Sequence, residues 1–262
     1  RDVVITITDS AGSTGSQTIT FQFNQPPQLY AFTNATFTQG GASGQYGPDI
    51  GQARNGVGNP SWANTYLNMT TNGIQRWTVP ATGTYRIDVY GARGGYVGYN
   101  RYYDGGFGAR MRGDFNLTQG QILQLAVGHV GTYTSHSQDG RHIASGGGGS
   151  FVVDVSNNPL IIAGGGGGST DNAYSQGQGH GGTTSTSGSN YNGQVGGSYA
   201  GTGGGGASGP TVGGPGAGFN SDGATPSGTS GSQRARSWNN GMTGGRNARS
   251  WGGGEAWGGF GG

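Results

Sequence analysis

Residues 73–95 read GIQRWTVPATGTYRIDVYGARGG, and this stretch contains both features that decide the fold. Residues 73–80 alternate apolar and polar side chains and stop at a proline, as a β-strand does. Residues 83–90 alternate again, with apolar and aromatic side chains on one face and Arg86 and Asp88 on the other. Glycines follow at once. The stretch therefore predicts antiparallel strands that lead directly into glycine-rich backbone.

More short runs predict strands elsewhere in the first half of the chain. They lie at residues 29–33, 122–127, 151–155 and 159–163, with turn residues between them. Even spacing of short strands favours a β-sandwich or jelly roll over an α/β fold. One short helix is expected within residues 62–69. Residues 32–163 are thus predicted to form an all-β sandwich.

The N-terminal segment predicts a β-hairpin. Residues 3–8 and 17–23 are rich in β-branched and aromatic residues, and a Gly- and Ser-containing turn separates them. A hairpin alone is marginally stable in water. We therefore interpret residues 1–24 as the last strands of an upstream immunoglobulin-like or cadherin-like sandwich. Residues 25–31, which contain two prolines, are expected to be a linker.

The composition excludes several classes of protein. Of 262 residues, 63 are Gly, 9% are charged, none is Cys, and the net charge is +2. Charge this low argues against charge-driven disorder, and the lack of cysteine excludes a disulfide scaffold. The chain has no apolar run long enough to span a bilayer, so no membrane insertion is expected. The small net charge argues against a nucleic-acid partner.

Glycine is concentrated in the second half, with 23 residues in positions 1–145 and 40 in positions 146–262. Residues 164–262 admit two interpretations. One is a flexible linker, because ordering glycine costs more entropy than ordering any other residue. The other is a bundle of extended helices with three residues per turn, whose backbone groups must pair with neighbouring helices. Trp, Tyr and Arg within this region favour the ordered bundle.

Residues 73–95 resemble the opening of the glycine-rich extracellular domain of the anaplastic lymphoma kinase and leukocyte tyrosine kinase receptors. The match continues in order through residues 115–117, 125–128, 146–151 and 159–167. This resemblance implies a tumour-necrosis-factor-like sandwich that carries an inserted bundle of polyglycine II helices. It also implies a closing strand beyond residue 262, so we expect this chain to be a piece of a longer protein.

Similar glycine-rich modules occur in phage virion proteins and bacterial adhesins. The polyglycine runs resemble the tip adhesins of phage long tail fibres, in which loops between glycine helices contact the host receptor. The absence of cysteine suits such a fibre better than an animal receptor.

Enzyme chemistry finds little support in the sequence. The four histidines lack metal-ligand spacing, and the carboxylates are too scattered for an acid–base pair. The glycine runs lack the Lys-Ser/Thr ending of a phosphate-binding loop. Arg112-Gly113-Asp114 spells an integrin-binding tripeptide but runs into a predicted strand. We therefore expect no enzymatic activity, no metal and no cofactor.

Aromatic and arginine side chains are the candidate receptor-binding residues, because Trp, Tyr and Arg are frequent anchors of interfaces. One group lies in a glycine-rich loop and the other lies near the C-terminus. The candidates are Tyr96, Tyr99, Arg101, Tyr102 and Tyr103, and Trp238, Arg246, Trp251 and Trp257. These rings suit a host-surface glycan or an outer-membrane protein. Alternatively, these rings pack around the glycine bundle or stack on the sandwich.

The sequence thus predicts a non-enzymatic, extracellular structural and adhesive module. We expect it to belong to a phage tail fibre or similar virion appendage, with other virion proteins as partners and a homotrimer as a possible state. The alternative is a ligand-binding ectodomain module of a cell-surface receptor or bacterial adhesin.

Overall fold

We describe a computed structural model of the chain. It describes residues 5–8, 14–17, 27–98, 102–136, 141–172, 175–185, 187, 216–225, 233–247 and 256–261. Antiparallel strands dominate these residues, so the all-β prediction is confirmed.

The elements, in chain order, are short. The helices are α1 (Ile50–Gly56), α2 (Ala63–Tyr66) and a 3-10 turn at Trp238–Asn240. The first nine strands are β1 (Ile5–Thr8), β2 (Thr14–Gln17), β3 (Leu67–Thr71), β4 (Ile74–Thr78), β5 (Gly83–Tyr90), β6 (Val97–Gly98), β7 (Tyr102–Tyr103), β8 (Arg110–Leu117) and β9 (Ile122–Ala126). The others are β10 (Tyr133–His136), β11 (Arg141–Ala144), β12 (Ser150–Asp154), β13 (Pro159–Ala163), β14 (Thr170–Asn172), β15 (Ser175–Gly177), β16 (Arg246–Asn247) and β17 (Ala256–Trp257).

The central sheet has five antiparallel strands in the order β13-β12-β9-β4-β3. Its alternating side chains point Trp77, Leu123, Leu125 and Val152 to one face, where they are buried. Strands β5 and β8 pair along their full length and pack against this face through Val89 and other apolar residues. The two layers form a sandwich-like core. Burial of apolar area of this kind is the main favourable term in folding.

The opposite face of the central sheet is also covered. Phe151 and Val153 alternate with Val152 along β12, and they pack against Phe219 and Trp238 from the glycine-rich second half. Strand β12 is therefore buried on both faces. The glycine-rich region contributes a second apolar cluster by covering a sheet made from the first half of the chain.

Several local predictions are confirmed. The strands predicted at residues 73–80, 83–90, 122–127, 151–155 and 159–163 are present within one or two residues. In β5, Tyr85, Ile87 and Val89 face inward and Arg86 and Asp88 face outward, as the alternation predicted.

One local prediction was wrong. Residues 29–33 are irregular rather than a strand, because stacking of Tyr30 on Trp62 and Tyr66 fixes them in place of a ladder of hydrogen bonds. By contrast, the short helix expected within residues 62–69 is present as the single turn α2, which passes directly into β3.

The remaining differences lie near the N-terminus and in α1. The first hairpin is tighter than expected, because β2 (Thr14–Gln17) begins within the predicted turn; residues 18–23 lie outside the described residues. Helix α1 was missed, although Asp49 and Gln52 form a reciprocal capping box at its start.

Candidate binding surface on a glycine scaffold

Among the described residues, seven extended glycine-rich segments lie side by side next to the sandwich. We call residues 91–96, 144–149 and 164–169 the central segments, and each bonds to the other two through backbone hydrogen bonds. The flanking segments are residues 104–109, 128–132, 178–182 and 257–261, and each bonds to at least one central segment. Together they form the glycine array. Four of the seven segments precede residue 150, so the array is not confined to the second half of the chain.

The hydrogen bonds of the array repeat every three residues. Along the first central segment, positions three apart donate to the same neighbour, and the next positions donate to a different one. The bonds to residues 104–109 are Gly91 N to Ala109 O at 2.9 Å and Gly94 N to Gly106 O at 3.0 Å. The bonds to the second central segment are Ala92 N to Gly148 O and Gly95 N to Ser145 O, both at 2.8 Å.

The second central segment has the same repeat. Its bonds to the third central segment are Ala144 N to Ser169 O at 2.9 Å and Gly147 N to Gly166 O at 2.8 Å. Its bonds to residues 128–132 are Ser145 N to Thr132 O at 2.8 Å and Gly148 N to His129 O at 2.9 Å. Backbone groups without side-chain cover are thus paired between segments, which removes the cost of burying them unpaired.

The close approach of the segments requires glycine. A methyl group placed at Gly91, Gly147 or Gly166 would overlap a backbone carbonyl oxygen of an adjacent segment. At Gly164, by contrast, nothing lies within 4 Å of the added methyl group. The array therefore needs glycine at some positions and only tolerates it at others.

One histidine is buried in the array. His129 is 1% exposed, its Nδ1 lies 3.2 Å from the carbonyl oxygen of Gly44, and its ring packs on Phe260. Burial lowers the pKa of His129 and outweighs the opposing contact with Gly44. The ring is therefore held neutral inside the scaffold.

The array segments at residues 91–96 and 104–109 extend into a two-stranded ribbon. We call residues 90–98 and 102–110 the aromatic ribbon. Its two halves run antiparallel, from the pair Tyr90–Arg110 at the end of β5 and β8 to the pair Val97–Tyr103 in β6 and β7. Bonds from Gly106 and Ala109 to the third central segment, both 2.8 Å, hold the second half of the ribbon in place.

Exposed rings and charged groups follow one another along the ribbon. The guanidinium of Arg110 lies 5.2 Å from the ring centroid of Tyr90, and that of Arg93 lies 4.8 Å from the centroid of Phe107. Beyond them, Tyr96 and Tyr102 stack in parallel at 6.4 Å. The exposed fractions of the four rings are 57% for Tyr90, 72% for Phe107, 50% for Tyr96 and 81% for Tyr102.

The ribbon brings together two of the predicted site residues. Tyr96 stacks on Tyr102, whereas the half-buried Tyr103 pairs with the buried Val97 and lies on the opposite face of β7. Tyr99 and Arg101 lie outside the described residues. The sequence reasoning missed Tyr90, Arg93, Phe107 and Arg110. Their three-residue spacing, 90-93-96 and 107-110 between glycines, is the signal that could have found them.

The second group of predicted residues divides differently. Trp238 is 5% exposed, stacks near Phe219 and donates from its indole nitrogen to Asn157 at 3.2 Å. Trp238 therefore packs inside the molecule, as the alternative interpretation of these rings predicted, and presents no surface to a partner. Arg246 lies over the ring of Trp257 at 4.8 Å, where β16 pairs with β17. Trp251 lies outside the described residues.

A buried carboxylate ties the parts of the C-terminal region together. Asp222 accepts hydrogen bonds from the backbone of Ser237 at 2.8 Å and from the Asn240 amide at 2.9 Å, and it pairs with Arg236 at 3.0 Å. Its burial raises the pKa, but these donors outweigh burial and lower the pKa to about 2. The cluster holds residues 216–225 against residues 233–247.

The outer face of β5 and β8 carries a ladder of ion pairs. Arg86 binds Asp114 through two nitrogens, at 2.8 and 2.9 Å, and Arg112 pairs with Asp88 at 2.6 Å. These hydrogen bonds lower the pKa of both carboxylates. The Arg112-Gly113-Asp114 tripeptide therefore lies within a strand, as predicted, with both charged side chains paired.

Among the described residues, no cluster of three His, Cys, Asp or Glu side chains could hold a metal ion. The part of the chain that the structure describes also contains no helix long and apolar enough to cross a bilayer. No protein-family model matches this chain.

Proposed function

We propose that this chain is a non-enzymatic structural and adhesive module that acts outside the cell, as part of a phage tail fibre or similar virion appendage. The observation that carries the proposal is an exposed aromatic ribbon whose two halves are themselves segments of the glycine array. A surface whose rings are fixed before binding loses little conformational entropy on contact with a partner.

The three-residue repeat of lateral hydrogen bonds supports a polyglycine II bundle. Extended helices of this type have three residues per turn and no internal hydrogen bonds, so each helix bonds to its neighbours. The overlap of added methyl groups at Gly91, Gly147 and Gly166 supports the same packing. In this proposal the bundle is a stiff platform inserted into a tumour-necrosis-factor-like jelly roll, which assembles as a homotrimer with other virion proteins.

Binding of the labelled chain to a panel of bacterial strains tests the adhesive role. We expect binding to a subset of strains, and we expect loss of that binding in Tyr102→Ala and Phe107→Ala. The matched control is Tyr46→Ala, because Tyr46 is 63% exposed but lies outside the ribbon. Absence of binding to every strain, or undiminished binding by both ribbon variants, would contradict the proposal.

A further inference from the structure

The aromatic ribbon has a regular spacing. Tyr90, Arg93 and Tyr96 are three residues apart on one half, and Phe107 and Arg110 are three apart on the other. In an extended threefold segment, side chains three residues apart point in the same direction and lie about 9 Å apart. The steps Tyr90–Arg110, Arg93–Phe107 and Tyr96–Tyr102 therefore form a straight row, roughly 19 Å long over the six residues from 90 to 96.

The row is held rigidly by backbone bonds on both halves. On one half, Ala92 and Gly95 donate to Gly148 and Ser145 of the array at 2.8 Å. The other half is anchored through Gly106 and Ala109, as described above. A ligand that matches the row must itself be long, because a single small ring reaches only one step.

The charges along the row are balanced. Arg93 pairs with Asp104 at 2.7 Å and also donates to the carbonyl oxygen of Gly105 at 3.1 Å, and Arg110 pairs with Asp88 at 3.3 Å. Each described arginine of the ribbon thus has a carboxylate partner. A polyanion would have to displace these carboxylates, whereas an uncharged ligand would leave the pairs intact and accept hydrogen bonds from the remaining guanidinium protons.

Exposed ring faces alternating with paired polar groups match one ligand chemistry. A sugar ring has an apolar face of C–H groups that stacks on an aromatic ring, and its hydroxyls exchange hydrogen bonds with arginine and aspartate. We infer that the aromatic ribbon binds an extended, uncharged polysaccharide chain along the row from Tyr90 to Tyr102. This inference rests on the proposed adhesive function and specifies its ligand.

Calorimetric titration with defined oligosaccharides tests the inference. The probes are β1,4-linked hexasaccharides of glucose and of mannose, with a sulfated heparin hexasaccharide as the anionic comparison. We expect at least one neutral hexasaccharide to bind and its disaccharide to bind more weakly. Tyr102→Ala and Phe107→Ala should each weaken binding about tenfold, as loss of an aromatic anchor does, whereas Tyr46→Ala should not. No binding of any neutral hexasaccharide, or tighter binding of the sulfated one, would overturn the inference.

Treatment of the bound strains separates this inference from the proposed function. Periodate cleaves vicinal diols of surface glycans, and a protease removes surface proteins. Binding that survives protease and is lost after periodate supports the polysaccharide. Binding lost only after protease overturns it but leaves the adhesive function standing.

Discussion

The sandwich core and the glycine array both bury atoms while keeping backbone groups hydrogen-bonded, but they do so in opposite ways. In the sandwich, side chains such as Trp77 and Leu123 are buried, and backbone groups pair within sheets. In the array, the backbone itself is buried, and pairing every third residue replaces side-chain packing. Adding or removing a methyl group should therefore have opposite consequences in the two regions. The array can tolerate no added atom where segments touch, whereas the core can tolerate no removed one.

The largest expected effect lies in the sandwich. Leu123 is 1% exposed between β4 and β12, and Leu123→Ala should lower the free energy of unfolding by about 2–5 kcal/mol, because it leaves a cavity. Urea unfolding followed by tryptophan fluorescence measures this change. Leu29→Ala is the matched control, since Leu29 is 39% exposed and should cost much less. Equal costs would mean that the core is not packed as described.

The next effect lies in the array and compares two neighbouring glycines. Gly166→Ala should destabilise the chain by about 1–3 kcal/mol, because the methyl group overlaps the carbonyl of Gly106. Gly164→Ala should be neutral or slightly stabilising, because its methyl group meets open space and the unfolded chain loses entropy. The same urea titration measures both. Equal effects of the two substitutions would refute close packing of the segments.

A pH titration of stability tests whether His129 is buried away from water inside the array. The pKa of His129 is lowered in the folded state, so protonation favours the unfolded chain. Stability should fall as the pH drops below about 6.5, the ordinary histidine value, towards the lowered pKa. This loss should be smaller in His129→Gln, which cannot take up the proton. The same loss in His129→Gln would show that the ring does not control the response.

A second pH window belongs to Asp222. Its folded pKa of about 2 lies below the ordinary value of 3.8, so its stabilising contribution is present above about pH 4 and is lost as the pH falls towards 2. Asp222→Asn should lower stability at pH 7 and flatten the dependence between pH 4 and 2. Thermal unfolding across this range measures it. An unchanged slope in the variant would exclude Asp222 as the titrating group.

The smallest change in the free energy of unfolding is expected for a substitution on the ribbon. Tyr102 is 81% exposed, so Tyr102→Ala should change the free energy of unfolding by less than about 0.5 kcal/mol. Urea unfolding of this variant, run beside the binding assays, checks the value. A larger loss would mean that the ring supports the fold rather than a ligand.

The strands were predictable where one face is buried, because alternation then appears in the sequence. This holds for β5, in which exposed and inward-facing residues alternate. It failed for residues 29–33, where ring stacking of Tyr30 replaces strand pairing. The second apolar cluster was not predictable either, because Phe219 and Trp238 lie far in sequence from Phe151, and no local pattern links them.

The candidate site was predictable only in part. Clustering of tyrosines around residue 100 led to Tyr96 and Tyr102. The contribution of Phe107 was missed because the pairing of residues 90–98 with residues 102–110 passes through glycines, which have no side-chain pattern to read. The domain boundaries at residues 24 and 31 stay predictions, and residues 18–26 lie outside the described residues.

Native-state hydrogen exchange of a chain labelled with 15N-glycine tests the lateral pairing most directly. The amides of Gly147, Gly148 and Gly166 donate to neighbouring segments at 2.8–2.9 Å, so they should exchange as slowly as amides of the central sheet. Exchange of these three amides at the rate of an unstructured peptide, while the sheet stays protected, would contradict a rigid glycine scaffold.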